Sequence, residues 1–207
     1  MDGVLVDSEP VHLESTIRMM RDDFGISFTS NDNREFLGST DRQMYLTLKA
    51  RHGLAPSLED LIARRKSLYV SLLDEWGIPW RDGMREFIAE LPSRGLKVAL
   101  ASSALRHVAE LTLNGGDIAR HFSAIVTGDD IPAPKPSPEI YQEAARRLAI
   151  DPAKCIAIED TDVGVRAAKA AGMTAIAFPT PSTADMDFSP ADHIARNVAD
   201  IRRIILS

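Results

Sequence analysis

The 207-residue chain carries a single cysteine, Cys155. A lone thiol cannot close an internal disulfide, and its place in the apolar run CIAI suits a reduced, buried side chain in the cytoplasm rather than a zinc ligand. Basic residues are also short, since 24 Lys and Arg against 30 Asp and Glu leave a formal net charge of −6. No whole-chain positive field exists for a nucleic-acid backbone or an anionic bilayer, so neither is expected as a partner. No apolar run approaches the ~18 residues read as a membrane span, and the opening MDGVLVDSEP has an acid where a secretion signal carries basic residues. Internal repeats and low-complexity tracts are missing too. A chain of this length can still bury a substantial core, as one domain or as one domain interrupted by a smaller one.

What is present divides into two patterns. The second half alternates short apolar runs, KVALA at 97–101, AIVT at 124–127, CIAI at 155–158 and TAIAF at 174–178, with helix-forming stretches at 104–114, 138–149 and 162–171. This repetition predicts an α/β fold, a Rossmann-like parallel sheet flanked by helices. Residues 11–77 contain helical patterns and no convincing strand. Leu13, Ile17, Met20 and Phe24 form one stripe, Met44 and Leu48 a second, and Leu58, Leu61, Ile62, Leu68, Leu72 and Leu73 a third, the last opened by Ser57 with Asp60 in near capping-box spacing. The expected organisation is a core that starts at 1–10, an inserted helical domain at 11–77 and the remainder of the core at 78–207. GVLV at 3–6 has the composition of a buried strand but is too short for a central one, and a clipped central strand would leave its neighbours' backbone groups unpaired.

Open parallel sheets bind ligands beyond the carboxyl ends of their strands. The polar residues just past the apolar runs are therefore the candidates. Asp2 and Asp7 flank GVLV, Ser102 follows KVALA, Glu159 and Asp160 follow CIAI, and Lys135 lies in PAPKPSP, where Pro132, Pro134 and Pro136 restrict the backbone. Taken singly, a strand-end acid reads as a helix cap, Ser102 as the N-cap of the next helix and Lys135 as a solvated loop residue. Taken together they suit phosphoryl transfer, in which a hard cation takes oxygen ligands while an ammonium and a hydroxyl hold the charged oxygens.

The order of these residues, with the strings DGVLVDSEPVH, ALASS, KPSPEIY and IEDTDVGVRAAKAAGM, resembles the haloacid dehalogenase-like superfamily, specifically its helical-capped phosphatase and β-phosphoglucomutase-like subgroup. The resemblance spans essentially the whole chain. It implies that Asp2 protonates the leaving oxygen and then activates water, and that Ser102 and Lys135 bind the transferring phosphoryl group. It also implies Mg²⁺ held by Asp160, Glu159 and the backbone carbonyl of Asp2, with Gly3 and Ser103 beside the substrate. An acid at position 2 favours phosphate esters over carbon–halogen or phosphonate substrates, whose cleavage does not need this proton donor. The nucleophilic aspartate of the resemblance aligns two positions before Asp2, ahead of Met1, so turnover is expected only when an N-terminal extension supplies it. On the helical insert, His12, Arg42 and Lys66 are the candidates for meeting the leaving alcohol, while the run Arg64-Arg65-Lys66 otherwise reads as a solvated basic face. LGSTDR at 37–42 carries Asp41 where the mutases place a phosphate-binding arginine, with Arg42 one residue later, which lowers the mutase reading.

The expected activity is a Mg²⁺-dependent phosphatase acting through an aspartyl-phosphate on small phosphorylated metabolites such as sugar phosphates. A phosphosugar mutase and a non-catalytic binding or regulatory protein are the alternatives. A small phosphorylated metabolite is the one partner implied, with no obligate protein partner. A signalling receiver domain shares the acids, hydroxyl and lysine but has no use for a helical insert of ~65 residues.

Overall fold

The computed structural model describes residues 1–36 and 41–206, and the chain divides into two compact units, Met1–Asp7 with Ile78–Ser207, and Ser8–Gly77. The second unit is helical: α1 (Glu9–Phe24), α2 (Ser30–Asn33), α3 (Asp41–His52) and α4 (Leu58–Trp76). Gly25 ends α1 in the left-handed region, its N–H reaching back to the carbonyls of Arg21 and Met20. Ser57 opens α4 with a complete capping box, accepting from the Asp60 N–H at 3.1 Å while the Asp60 carboxylate accepts from the Ser57 N–H at 3.3 Å. Met19, Met20, Tyr45, Leu48 and Leu61 close its core. The first predicted stripe is displaced, because only Met20 of that set is fully buried. Leu13, Ile17 and Phe24 lie at the margin of the helix face whose centre is Val11, Thr16 and Met19.

The other unit alternates helices and parallel strands: α5 (Met84–Glu90), β1 (Val98–Ala101), α6 (Arg106–Gly115), β2 (Phe122–Val126), α7 (Glu139–Leu148), β3 (Ile156–Glu159), α8 (Asp162–Ala170), β4 (Thr174–Ala177), β5 (His193–Ile194) and α9 (Val198–Leu206). The four apolar runs become β1 to β4 within a residue or two of the predicted limits. They assemble as two half-sheets, β1 with β2 and β3 with β4 and β5, every pairing parallel. Two core clusters serve this unit, one around Met84, Phe87, Leu100, Leu113 and Ile176, the other around Val126, Ile140, Ala145 and Val165. No described helix is long and apolar enough to cross a membrane.

Three expectations are corrected here. GVLV forms a buried turn in place of a strand: the Leu5 N–H donates to the Met1 carbonyl at 2.7 Å and the Gly3 N–H to the Val6 carbonyl at 2.8 Å. Val4, Leu5 and Val6 are nevertheless buried, so the apolar composition reports burial and not extension. Ser102 does not cap the following helix, which starts only at Arg106; the Arg106 N–H is taken instead by the Asp129 carboxylate at 2.8 Å. Cys155 is half-buried, its thiol directed at the Asp151 carbonyl at 3.5 Å, and burial together with the Asp151 charge raises its pKa.

The turn after β2 is held by Asp130. Its carboxylate accepts from the Thr127 N–H at 2.8 Å and hydroxyl at 3.0 Å, and pairs with Arg106 at 2.5 Å and Arg147 at 3.1 Å. Burial opposes the charge, but these bonds outweigh it and hold the carboxyl well below the usual carboxylate range. A depressed folded pKa contributes stability above the unfolded value and loses it as pH falls through the folded one. Asp130→Asn is therefore expected to cost about 1–2 kcal/mol at pH 7 in urea denaturation, with the deficit shrinking steadily below about pH 4.

Candidate active site

The polar groups gather where β1, β3 and the Met1–Val6 turn end. Ser102, only 3% exposed, follows β1 directly; its N–H donates to the Val126 carbonyl at 3.0 Å, and its hydroxyl accepts from the Ala104 N–H at 3.2 Å. Both bonds fix the hydroxyl against the strand end. Ser103 beside it is exposed. Lys135 arrives from the proline-rich loop after β2. Its ammonium lies 3.5 Å from the Ala101 carbonyl, pairs with the Glu159 carboxylate, and sits 5.0 Å from the centre of the Tyr141 ring.

Glu159, the last residue of β3, is 5% exposed, and its carboxylate also accepts the Tyr141 hydroxyl. Burial disfavours its charge, but the charge and hydrogen bond of Lys135 and the Tyr141 hydrogen bond outweigh that and hold its pKa below the usual value. Tyr141 shows the reverse effect: burial and the Glu159 charge push its phenol well up, so it remains a donor. A side chain at Gly164 would stand 2.2 Å from the Glu159 carboxylate, which explains why α8 begins with a glycine in its first turn.

Asp160 is the acid that lacks such compensation. Its pKa is pushed up to about 6 by burial and by the charges of Glu159 and Asp2, against a partial offset from the α-ammonium of Met1. Gly3, with φ of +68°, packs so closely that a β-carbon there would lie 1.9 Å from an Asp160 oxygen. The Gly3 carbonyl accepts from Arg81, whose guanidinium lies 3.5 Å from the centre of the Phe178 ring. Burial lowers the Arg81 pKa, partly offset by Asp7 and Asp160.

Lys135 and Glu159 are thus joined by contact, and Glu159, Asp160 and Asp2 by mutual charge, while Ser102 follows Ala101, whose carbonyl faces the Lys135 ammonium. Crowded carboxylates with one acid forced towards neutrality are the electrostatic situation that a bound cation relieves. Among the described residues no group of three or more His, Cys, Asp or Glu side chains is arranged to hold a metal. Magnesium asks for less, since it keeps several waters and takes one or two carboxylates, so the residues present fit it. Removing the uncompensated charge should accordingly stabilise the metal-free protein. Asp160→Asn is expected to gain about 1–2 kcal/mol above pH 6, a gain that disappears below about pH 4 where the native carboxyl is already protonated, as followed by chemical denaturation in EDTA.

The three candidates on the helical unit separate. Arg42 makes a solvent-exposed pair with Glu59 at 3.2 Å, and Lys66 is half-buried. His12 stacks on Tyr69 with ring centres 4.4 Å apart, and its Nδ1 lies 2.5 Å from the Arg65 guanidinium. Arg65 overturns the reading of 64–66 as a solvated face: it is 4% exposed and bound to Asp41, while Arg64 remains outside with Asp23 at 2.7 Å. Of LGSTDR, residues 37–40 lie outside the described residues. Arg65, Arg81 and Tyr141 were not identified from sequence. Only Tyr141 carried a usable signal, as the last residue of KPSPEIY.

Residues 1–178 match the profile of the haloacid dehalogenase-like hydrolases. The chain belongs to that family. Hexitol phosphatase B of Escherichia coli strain K12 is 33% identical over 183 residues, covering 87% of this chain and 82% of the relative. A phosphorylated carbohydrates phosphatase of Thermotoga maritima is 33% identical over 180 residues, covering 85% and 81%. Among solved structures, CbbY from Rhodobacter sphaeroides in complex with phosphate superposes with a TM-score of 0.84 at 28% identity, over 97% of this chain and 93% of that one. The α/β class with parallel strands and a helical N-terminal region is common to these hydrolases.

Proposed function

We propose that the chain carries the site of a Mg²⁺-dependent phosphatase for small phosphorylated sugars. The observation that supports this most is the meeting of Lys135 with Glu159, beside Ser102 and the charge-crowded pair Asp2 and Asp160. Relatives named as phosphatases of hexitols and of phosphorylated carbohydrates support the substrate class.

In this reading the Lys135 ammonium and Ser102 hydroxyl hold the phosphoryl oxygens, each pre-positioned by the bonds described above. Asp2 gives its proton to the leaving sugar oxygen and, once that alcohol departs, takes one from the attacking water. Tyr141 keeps Glu159 ionised and in place, and Glu159 in turn aims Lys135. Asp160, Glu159 and the Asp2 carbonyl would hold Mg²⁺, which supplies neutralisation of the phosphoryl charge. In this reading an aspartate two positions before Asp2 would be the nucleophile, so the test uses the chain with an apolar strand and an aspartate joined to Met1.

That extended protein, given a panel of hexitol and sugar phosphates with Mg²⁺, is expected to release inorganic phosphate steadily. Interconversion of hexose phosphates under a bisphosphate primer, with little phosphate released, would instead establish a mutase. Ligand binding with neither reaction would leave a binding protein.

A further inference from the structure

The turn that follows β1, residues 102–105, is neither strand nor helix, and Leu105 has no polar side chain with which to cap α6 where it begins at Arg106. What fixes this turn comes from the segment after β2. The Ser102 N–H donates to the Val126 carbonyl at 3.0 Å, the Gly128 N–H to the Ala104 carbonyl at 3.2 Å, and the Arg106 N–H to the Asp129 carboxylate at 2.8 Å. The Arg106 guanidinium adds a pair with Asp130 at 2.5 Å. Further along the same segment, the Lys135 ammonium lies 3.5 Å from the Ala101 carbonyl. The backbone from 101 to 106 is therefore held at both ends and in the middle by residues 126–135.

Ala104 is the link to the site. Its carbonyl takes the Gly128 N–H, and its own N–H donates to the Ser102 hydroxyl oxygen at 3.2 Å. The contact between the two turns is close enough that a β-carbon at Gly128 would lie 2.7 Å from the Ser103 carbonyl oxygen, a backbone atom that cannot rotate out of the way. Asp129 is exposed, and its carboxylate acts on the turn through the start of α6. Negative charge near a phosphate site opposes the anion, so a contribution of Asp129 to that site has to be geometric.

We infer that Asp129 and Gly128 are positioning residues for the phosphoryl group, holding the Ser102 hydroxyl in place through Ala104 and the first residue of α6. The inference rests on the phosphatase reading for the role of Ser102 and adds two residues that act through it. Neither is assigned a contact with the substrate.

The test titrates inorganic phosphate with Mg²⁺ into the full chain and into Asp129→Ala, Asp129→Asn, Gly128→Ala and Asp151→Ala, with amide hydrogen exchange and melting temperature measured on each. Asp151 is the control: it is an exposed acid of the same unit whose carboxylate accepts from the Ala153 N–H at 2.9 Å. Asp129→Ala and Gly128→Ala are expected to weaken phosphate binding about fivefold to tenfold and to speed exchange at the Ala104 amide at least about threefold. Asp129→Asn keeps an oxygen for the Arg106 N–H and sheds the charge, so it should bind phosphate at least as tightly as the parent chain. Asp151→Ala should lower the melting temperature about as much as Asp129→Ala, by roughly 2–6 °C, and leave phosphate affinity unchanged. Parental affinity in Asp129→Ala, no recovery in Asp129→Asn, or an Ala104 amide that exchanges as in the parent would overturn the inference. A parent chain that binds no phosphate would count against the phosphatase reading, and exchange at Ala104 alone would then decide whether Asp129 and Gly128 hold Ser102.

Discussion

Lys135→Met is expected to destabilise the protein by about 3–5 kcal/mol, measured by urea unfolding at pH 7. The side chains of Lys135 and Glu159 are only 12% and 7% exposed, so the pair lies outside the regime of surface ion pairs. Removing the ammonium leaves the Glu159 carboxylate buried, with the Tyr141 hydroxyl still donating to it but its ion-pair partner gone. A lone buried charge costs more than the pair ever contributed. The double variant Lys135→Met with Glu159→Gln removes both charges and keeps an acceptor for Tyr141, so it should recover most of the loss. Equal stability of the single and double variants would show that Lys135 acts through packing alone.

The second large effect is chemical. In the chain extended by an apolar strand and aspartate, Asp2→Asn is expected to lower sugar-phosphate turnover about 10²–10⁴-fold, the usual range for a positioned acid and base. The loss should be smaller in the release of p-nitrophenol from p-nitrophenyl phosphate, because that leaving group needs no proton. A structural role for Asp2 would lower both rates alike and would shift the melting temperature. The substitution keeps the backbone carbonyl of residue 2 and the bridge between residues 2 and 6, so the turn should survive.

The strands β1 to β4 were legible in the sequence because each is a short apolar run bounded by polar residues, whereas the two-residue, exposed β5 carries no such run. The same rule misplaced GVLV, since a turn packed into the core needs apolar side chains just as a strand does. The N-terminus of α6 was misjudged for a different reason. Local propensity pointed to Ser102, but the acceptor is Asp129, 23 residues beyond Arg106 and visible only once β2 is in place. Arg65 was hidden by its charged neighbours: charge patterning cannot say that one of three adjacent cations turns inward to His12 and Asp41. Tyr141 lay in the string KPSPEIY, but a tyrosine on an amphipathic helix shows no sign of which buried acid its hydroxyl meets. The acids, serine and lysine proposed for the site could be chosen because strand ends converge in any parallel α/β sheet.

One cation site shared by residues far apart in sequence would be read directly, on the chain itself, by paramagnetic relaxation from Mn²⁺. Substoichiometric Mn²⁺ is expected to broaden the amide signals of residues 2–7, 102–103, 135 and 159–161 together, and Asp160→Asn should abolish the effect. Broadening scattered over surface acids, or unchanged by Asp160→Asn, would contradict it.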